Sequence, residues 1–429
     1  MMGSEAKSPG VLILNGCLPP PYGGIAKYLS ATLPMLAAKG FRIWAVMPRN
    51  YSENEYLEYR VKGINVFMPR GDRHMSFPQV VKLTVKLAVR YLPWLWRRCV
   101  RYRLPLREAL RILHSWLPEC DALLEEHGQD VDIIHVYDAP WAQGWIGQIL
   151  AEKHSKILMM TTYGEVVPHN DPIQPIDELS YKYKDFCAEV ISNCYRISSP
   201  TIYCASKLAF VGVNPQEVFL TCHVSGMDKF IHPLNSTVSL VEKYPVLEGK
   251  RLILFVGQMQ KRKGPDLLLR VSGNILKEYP DCVFAFVGPD YGMLNELKEM
   301  AQQLGVSKSC LFTGGVPEEE LYRFYHQAEM FVFTTISKIE CLGLTFVQAM
   351  YAKCPVVASN ISGVPEVIRH GENGLLFDPG DEEQMKQCIL ELSGDQTLRR
   401  RIAEQAFLDV TSQFQEQLSL EHVKKFYKT

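Results

Sequence analysis

Short runs of apolar, often β-branched residues recur along the chain, and almost none of them alternates with polar positions. Such runs are typical of strands that are buried on both faces of a sheet. The pattern predicts strands at Val11–Leu14, Ile43–Met47, Ile64–Met68, Ile133–Val136, Ile157–Thr161, Thr201–Ala205, Leu252–Val256, Val283–Val287, Cys310–Thr313, Met330–Phe333 and Pro355–Ser359.

Segments with a helical period separate many of these runs, and alternation of this kind predicts α/β domains with parallel sheets and right-handed crossovers. A polar, proline-containing stretch, Pro233–Lys250, interrupts the alternation. We therefore expect two doubly wound domains, residues 8–235 and 236–410, with ligands beyond the carboxyl ends of the strands. The predicted helices are Ile25–Ala38, Asp266–Lys277, Met293–Leu304, Glu318–Gln327 and Thr345–Tyr351.

The charge balance narrows the class of protein. The 429 residues include 46 Lys and Arg against 47 Asp and Glu, which gives a formal net charge of −1. This excludes a globally basic nucleic-acid binder and an acidic solvating chain. The 12 cysteines lack a C-x-x-C pair and indicate reduced thiols in the cytoplasm. No apolar run reaches the roughly 18 residues of a membrane span, and Val11–Leu14 is too short for a signal-peptide core.

Two glycines, Gly23 and Gly24, lie between the first predicted strand and its helix. Glycine lets backbone N–H groups approach a ligand, and the helix start adds partial positive charge that favours an anion. The alternative is a tight turn without a ligand. The G-x-G-x-x-G spacing is absent, which disfavours a nicotinamide dinucleotide, and no G-x-x-x-x-G-K-[ST] occurs, which excludes P-loop chemistry.

Three consecutive bases, Lys261, Arg262 and Lys263, follow the strand Leu252–Val256. They lie at the carboxyl edge of the predicted sheet and could neutralise a diphosphate through charge-assisted hydrogen bonds. The alternative is a solvated basic turn.

A carboxylate, Glu340, precedes the predicted helix that begins near Thr345. Gly343 and Leu344 offer unpaired N–H groups at that helix start, which is again suited to an anion. Gln348 lies eight positions after Glu340, within the helix, and both side chains could face one pocket. The alternative for Glu340 is a structural partner of the helix dipole.

The order of these segments is more specific than any one of them. Between Leu252 and Asp381 the chain contains V-G-x-x-x-x-x-K-G, the Glu340 segment, A-M-x-A-x-x-P-V-V-A-S, G-x-x-E-x-I and G-x-x-G-L-L-F-x-P-G-D. It resembles the family 4 retaining glycosyltransferases over almost its whole length. The resemblance implies the GT-B fold, two doubly wound Rossmann-like domains facing across a cleft, with a C-terminal helix in residues 411–429 that packs back toward the N-terminal domain.

The resemblance also implies roles for individual residues. Glu340 would bind hydroxyls of the donor sugar and support the reacting centre, and Lys263 would hold the donor diphosphate. Glu366 would lie near the nucleotide. The donor-binding positions are Gly23, Gly24, Gln258, Arg262, Lys263, Gly343, Leu344, Thr345, Gln348 and Glu366.

Three positions depart from the family pattern. Gln348 replaces the second acid of Glu-x7-Glu, and Gln258 replaces an arginine for which Lys261 or Arg262 could substitute. Tyr163 stands where the family has a histidine. A phenol can hold a hydroxyl, but it is a poor base at neutral pH.

Lone histidines near strand ends are further catalytic candidates. His135 and His169 are of this kind, and for each the alternative is a hydrogen-bonded structural role. Asp130 and Asp132 imitate a metal-binding D-x-D, but they precede a strand and so lie at the wrong edge of the sheet. We therefore expect no metal ligands here, and the resemblance implies that no cofactor is required.

The predicted function is transfer of a sugar from a nucleotide-diphosphate sugar, a UDP-sugar or GDP-mannose, to a hydroxyl of a glycan, glycolipid or other lipid-linked acceptor. The resemblance implies retention of anomeric configuration, with Glu340, Tyr163 and His135 as the catalytic candidates. The alternative is a degenerate relative that binds nucleotide sugars without turnover.

A basic segment, Lys82–Arg111, contains nine Lys or Arg residues and one acid. A basic amphipathic segment that contains tryptophan favours an anionic membrane surface or acceptor. We therefore expect a cytoplasmic protein with peripheral binding to the inner face of the membrane. The alternative is a surface helix whose bases pair with acids elsewhere. The patch consists of Lys86, Arg90, Trp94, Trp96, Arg97, Arg98 and Arg101.

Overall fold

The computed structural model describes residues 8–14, 24–46, 62–67, 87, 89–91, 94, 100–101, 116–137, 142–163, 184–221, 227–231 and 239–429. The chain divides into two compact units. The N-terminal part of the first unit ends at Ser225, and Ser419–Thr429 belongs to the same unit. The second unit contains Gly226–Leu418.

The described strands of the first unit form one seven-stranded parallel sheet in the order β3-β2-β1-β4-β5-β6-β7. Leu12 and Leu14 enter one core layer and Val11 and Ile13 the other, because successive side chains of a strand point to opposite faces. The strands are β1 (Gly10–Leu14), β2 (Arg42–Val46), β3 (Ile64–Phe67), β4 (Ile133–Tyr137), β5 (Ile157–Thr161), β6 (Arg196–Ser199) and β7 (Phe219–Leu220).

Helices cover both faces of this sheet. The last helix of the chain packs on the same core layer as α1, with Leu420, Val423 and Phe426 buried against it. In the described part of the first unit the helices are α1 (Gly24–Ala38), α2 (Leu117–His127), α3 (Ala142–His154), α4 (Lys184–Ser192) and α5 (Ile202–Lys207).

The second unit contains a six-stranded sheet in the order β10-β9-β8-β11-β12-β13, and every pair is parallel. The chain moves outward from β8 in one direction and then returns to continue from β11 in the other. Adjacent strands β8 and β11 therefore form the topological switch point, where doubly wound folds bind ligands. The strands are β8 (Arg251–Val256), β9 (Cys282–Val287), β10 (Cys310–Gly314), β11 (Ala328–Phe333), β12 (Val356–Ser359) and β13 (Leu375–Phe377).

The remaining described helices lie in the second unit, except that the last of them ends in the first unit. They are α6 (Leu240–Lys243), α7 (Pro265–Glu278), α8 (Leu294–Gln303), α9 (Glu318–Gln327), α10 (Leu344–Tyr351), α11 (Glu382–Gly394), α12 (Gln396–Gln413) and α13 (Glu416–Tyr427).

The strand predicted at Thr201–Ala205 is wrong. The strand β6 ends before it, and Thr201 is the N-cap of α5, where its side chain accepts a hydrogen bond from Cys204 N at 3.1 Å. A β-branched start favoured a strand, but a threonine that caps the backbone favours a helix. The short strands β7 and β13 have too few residues to give an apolar run.

The sequence predicts that the stretch Pro233–Lys250 separates the domains, whereas the main part of the second unit already begins at Gly226. Phe230 packs edge-on against Tyr322, with ring centroids 4.4 Å apart. Lys243 Nζ and Tyr244 OH each donate to the Glu320 carboxylate at 2.6 Å. The described part of the polar stretch is therefore packed into the second unit.

Candidate functional site

The loops that follow β8 and β11 meet at the switch point of the second sheet. The first loop contains the three-base turn Lys261–Lys263, which is a 3-10 turn. Thr334 Oγ1 donates to Lys263 O at 2.8 Å, and Thr335 Oγ1 donates to Arg262 O at 3.0 Å. These hydroxyl groups, at the end of the buried strand β11, fix the backbone of the basic turn.

Lys263 and Glu340 form an ion pair between these two loops. The Lys263 side chain is 18% exposed and the Glu340 side chain is 13% exposed. Burial raises the pKa of Glu340, but the charge and hydrogen bond of Lys263, together with the charge of Arg262, outweigh it and hold this pKa below its usual value. The Glu340 carboxyl group is therefore ionised at neutral pH, and its role toward a donor sugar stays a prediction.

Two glycines allow the loops to approach each other and the helices to start. Gly264, at φ 64°, precedes α7, and a Cβ there would lie 2.4 Å from Thr334 O. Gly343, at φ 74°, precedes α10, and its Cβ would lie 2.7 Å from the Phe346 ring. Both positions require glycine for conformation and for space.

Gly343→Ala is expected to destabilise the protein by about 2–3 kcal/mol, because a left-handed alanine is strained and its methyl group overlaps buried rings. Gly380→Ala is the matched control. Gly380 has φ 84° but nothing within 4 Å of its Cβ, so the conformational cost alone predicts about 1 kcal/mol. Urea unfolding monitored by circular dichroism measures both. Equal losses would contradict the packing described around Gly343.

The start of α10 presents the backbone N–H groups of Leu344 and Thr345, which precede the first complete helical turn. Helix N-termini carry partial positive charge and favour anions. This start lies four residues after Glu340. The donor residues predicted here are therefore placed around one edge of the sheet.

Gln348 lies inside α10 and is 2% exposed. Its Oε1 accepts a hydrogen bond from Tyr325 OH at 3.2 Å. Tyr325 is completely buried, so the amide that replaces the second family acid is tied to the core of the unit. Nothing in the sequence around Gln348 indicates this partner, which lies on α9.

Glu366 ends the turn Val364–Glu366 and is exposed. Gly363 N donates to Cys341 O at 3.1 Å, which joins this turn to the loop that contains Glu340. The turn that contains Glu366 is thus joined to the loop that contains Glu340, and a contact of Glu366 with a nucleotide stays a prediction.

The other two glycines that are predicted to bind the donor, Gly23 and Gly24, come early in the chain. Gly24 begins α1. Gly23 lies outside the described residues, as does His169.

His135 is buried on the layer that α13 covers. One ring nitrogen bonds Tyr427 OH at 2.6 Å and the other bonds Thr161 Oγ1 at 2.8 Å. Burial lowers the pKa of His135 to about 3. The catalytic role predicted for His135 therefore does not fit its surroundings, and the structural alternative does, because both nitrogens are already bonded inside the unit.

Tyr163 lies two residues after the end of β5 and is only partly buried. Its ring stacks on Tyr137, with centroids 6.1 Å apart and planes at 18°. The phenol thus lies at the carboxyl edge of the first sheet, where the sequence predicts a hydroxyl-binding group.

The prediction of a basic patch is wrong for two of its residues, Arg90 and Trp94. Arg90 forms an ion pair with Asp121 at 2.7 Å and another with Glu125. Trp94 is 8% exposed and packs in the core. The alternative reading, bases paired with acids elsewhere, is right for Arg90. Arg101 is exposed, and the predicted patch residues outside the described part are Lys86, Trp96, Arg97 and Arg98.

Asp121 is a buried charge that sequence reasoning missed. It also accepts from Lys153 Nζ at 2.6 Å and contacts His154 Nε2 at 2.6 Å. Its position inside the amphipathic helix α2 gave no separate signal.

The D-x-D segment is used within the first unit. Asp130 and Asp132 both pair with Arg42, and Asp132 accepts from Gly10 N at 2.7 Å. In the described part of the chain, no group of three or more His, Cys, Asp or Glu side chains is arranged to hold a metal ion.

Two parallel doubly wound units, the second with an ion pair and a helix start at its switch point, define the class of α/β proteins that bind ligands at a switch point. Residues 239–409 match the family model described as "Glycosyl transferases group 1". Over these residues the chain is similar to the group 1 glycosyltransferases, which confirms the recognition made from the motifs, and the GT-B fold is confirmed as well.

The chain is similar to two further sequences and to one solved structure. Spore coat protein SA of Bacillus subtilis is 24% identical over 69% of the chain and 78% of its own length. The GDP-mannose-dependent alpha-(1-6)-phosphatidylinositol monomannoside mannosyltransferase of Mycolicibacterium smegmatis is 28% identical over 39% of the chain and less than half, 45%, of its own length. The Anabaena protein HepE, solved with UDP-glucose, is 14% identical and has a TM-score of 0.70 over 97% of this chain and 98% of its own.

Proposed function

We propose that the protein is a retaining glycosyltransferase that moves a sugar from a nucleotide-diphosphate sugar to a hydroxyl of a glycan, glycolipid or other lipid-linked acceptor. The observation that carries the proposal is the charged Lys263–Glu340 pair at the switch point, beside the start of α10. A UDP-sugar and GDP-mannose are the two donor types, in line with the names of the similar proteins.

Some residues of the candidate site act on the leaving group, and others act on the sugar. Lys263, Arg262 and the N–H groups at the start of α10 stabilise charge that develops on the departing diphosphate. Glu340 accepts hydrogen bonds from hydroxyls of the donor sugar and orients the anomeric carbon. Tyr163 holds an acceptor hydroxyl. Because Lys263 and Arg262 balance the negative charge of the diphosphate, no metal ion is needed.

The transfer proceeds on one face of the sugar. The acceptor oxygen bonds to the anomeric carbon on the face from which the diphosphate leaves. The carbon–oxygen bond to the diphosphate breaks with its electron pair on the phosphate oxygen, and this oxygen takes the proton of the acceptor hydroxyl. The anomeric configuration is thereby retained.

The decisive experiment incubates the purified chain with UDP-sugars and GDP-mannose, with glycan and lipid-linked acceptors, in the presence of a metal chelator. Nucleotide release coupled to a product of unchanged anomeric configuration, read by NMR, supports the proposal. Product of inverted configuration would refute the retaining mechanism, and loss of activity with chelator would refute the metal-free one.

The competing candidate is a nucleotide-sugar-binding relative without turnover. The bond between Tyr325 and Gln348 favours it, because that amide oxygen is already engaged in the core. Tight binding of a nucleotide sugar with no turnover on any acceptor would establish this candidate.

We also propose that the protein is cytoplasmic and binds the inner face of the membrane through the basic segment. Among the described residues, no helix has the length and apolarity to cross a membrane. Val89 and Val100 are 68% and 64% exposed, next to bases of the segment. Exposed apolar and basic side chains together suit an anionic lipid surface.

Replacing Arg97 and Arg98 by glutamate reverses the sign of two charges. This is expected to weaken binding to anionic vesicles at least tenfold, since each base near the membrane surface contributes about 1 kcal/mol. Co-sedimentation with vesicles of phosphatidylcholine and phosphatidylserine measures it. Arg90→Gln is the matched control, because Arg90 is paired with Asp121, and binding should not change. Absence of vesicle binding, or binding unaffected by the reversal, would exclude the membrane role.

A further inference from the structure

One turn holds the loop that contains Glu340 on both sides of this residue. Ser362 Oγ donates to Lys338 O at 3.3 Å, and Gly363 N donates to Cys341 O at 3.1 Å. Both donors follow β12, which is the neighbour of β11 in the sheet. The two accepting carbonyl groups belong to the residue two before Glu340 and to the residue directly after it. The turn therefore limits how far the backbone of Glu340 can move.

Ser362 has an unusual backbone conformation for a residue with a side chain. Val364 N donates to Ile361 O at 3.0 Å, which closes the turn, and Ser362 and Gly363 are its two central residues. Ser362 has φ 54°, whereas Gly363 has φ −82° and ψ 0°. A positive φ at the first central residue alone is typical of a type II′ turn, in which glycine is favoured at that position. Ser362 therefore adopts with strain a conformation that glycine adopts without it.

The hydroxyl group of Ser362 is what glycine at this position would lack. Strained backbone conformations persist where the surrounding structure requires them, and they cluster at functional sites. Here the strained residue donates to the loop of Glu340, whose partly buried carboxylate pairs with Lys263 from the other loop. A displacement of about 1 Å at a reacting centre can lower a rate about 100-fold. A bond that fixes this loop can therefore affect the reaction without contacting a substrate.

We propose that Ser362 is a positioning residue for Glu340, because its hydroxyl group holds the loop at Lys338 and the turn keeps this hydroxyl group within hydrogen-bond distance. Ser362 contacts neither the donor nor the acceptor and acts through Glu340. The inference rests on the proposed function and deepens it, since it adds a residue that orients the reacting centre.

Ser155 provides a matched control in the first unit. It is also a serine with a positive φ, 52°, and it lies exposed between α3 and β5. Its hydroxyl group bonds no other residue of the described part of the chain. At both positions glycine relieves the backbone strain and alanine does not. In urea unfolding monitored by circular dichroism, each glycine variant should therefore have a higher midpoint than the matching alanine variant.

Steady-state kinetics of the full chain test the proposal. Ser362→Ala is expected to lower kcat about 5- to 30-fold and to leave the KM of the nucleotide sugar within threefold, because the lost bond holds Glu340 and not the donor. Ser362→Gly should lower kcat at least as much, although it is the more stable variant. Ser362→Asn should exceed Ser362→Ala in kcat, since asparagine tolerates a positive φ and its amide group can donate to Lys338 O.

Two further comparisons separate positioning from a purely structural role. Ser155→Ala and Ser155→Gly should keep kcat within twofold of wild type. In a Glu340→Gln background, Ser362→Ala should cause no further loss, since it acts through Glu340.

The inference is overturned if kcat follows stability, with Ser362→Gly more active than Ser362→Ala. It is also overturned if Ser362→Ala keeps kcat within twofold of wild type, or loses as much in the Glu340→Gln background as in wild type. If Ser362→Ala does not fold, Ser362→Gly decides, because it lacks the same hydroxyl group. A wild-type chain without turnover on any donor overturns the proposed function itself, and this inference with it.

Discussion

Replacing Glu340 by alanine is expected to lower kcat/KM by about 100- to 1,000-fold, a loss typical of removing a preorganised polar group from a reacting centre. Under the proposed mechanism the variant loses its contact with the donor sugar, and it also leaves the partly buried Lys263 without its partner. The effect is measured from initial rates, with the donor and the acceptor that give turnover in the experiment with UDP-sugars and GDP-mannose.

Glu372→Ala is a matched control. Glu372 is an exposed acid that pairs with Arg369 in the same unit, and its loss should leave kcat/KM within twofold. Lys263→Ala should resemble Glu340→Ala, and the double variant should lose less than the sum, because the two side chains act as one unit. Turnover by Glu340→Ala within threefold of wild type would contradict the assigned role.

The free energy of unfolding of the first unit is expected to fall in acid because of His135. The folded pKa is lowered to about 3 by burial, while the unfolded value is about 6.5. Between these values the unfolded state binds the extra proton. The contribution is therefore complete above pH 6.5 and is lost as the pH falls toward 3, by up to about 1.4 kcal/mol per pH unit.

His135→Asn isolates this contribution. Its stability at pH 7 is lower, but the decrease between pH 6.5 and pH 4 should be about 3 kcal/mol smaller than in wild type. All six tryptophans lie between Trp44 and Trp145, so tryptophan fluorescence in urea reports on the first unit alone. His370→Gln, at an exposed residue of the second unit, is the control. An unchanged pH slope in His135→Asn would refute the prediction.

Much of the fold could be predicted because both sheets are buried on both faces. The runs Leu252–Val256 and Val283–Val287 coincide with strands to within one residue, since their apolar character reflects helices on either side. The apolar pattern did not predict where β6 ends. At Thr201 a β-branched side chain serves as a helix cap, and a single hydrogen bond outweighs strand propensity.

The Lys263–Glu340 pairing could be anticipated from topology. The residues are 77 positions apart, but each follows a strand at the switch point, where the carboxyl ends of neighbouring strands converge. Partners that come from helices gave no such signal. The bonds of Gln348 to Tyr325 and of Arg90 to Asp121 depend on how helices rotate when they pack, which apolar periodicity does not specify.

The last helix has a consequence for the order in which the chain folds during synthesis. His135 and Tyr427 are 292 positions apart, and Arg196 bonds the carbonyls of Lys425 and Phe426. The ribosome therefore releases the final piece of the first unit only after the entire second unit has been made. The second unit can therefore finish folding before the first unit does. Until the last helix is made, the apolar layer of the first sheet that this helix covers stays exposed.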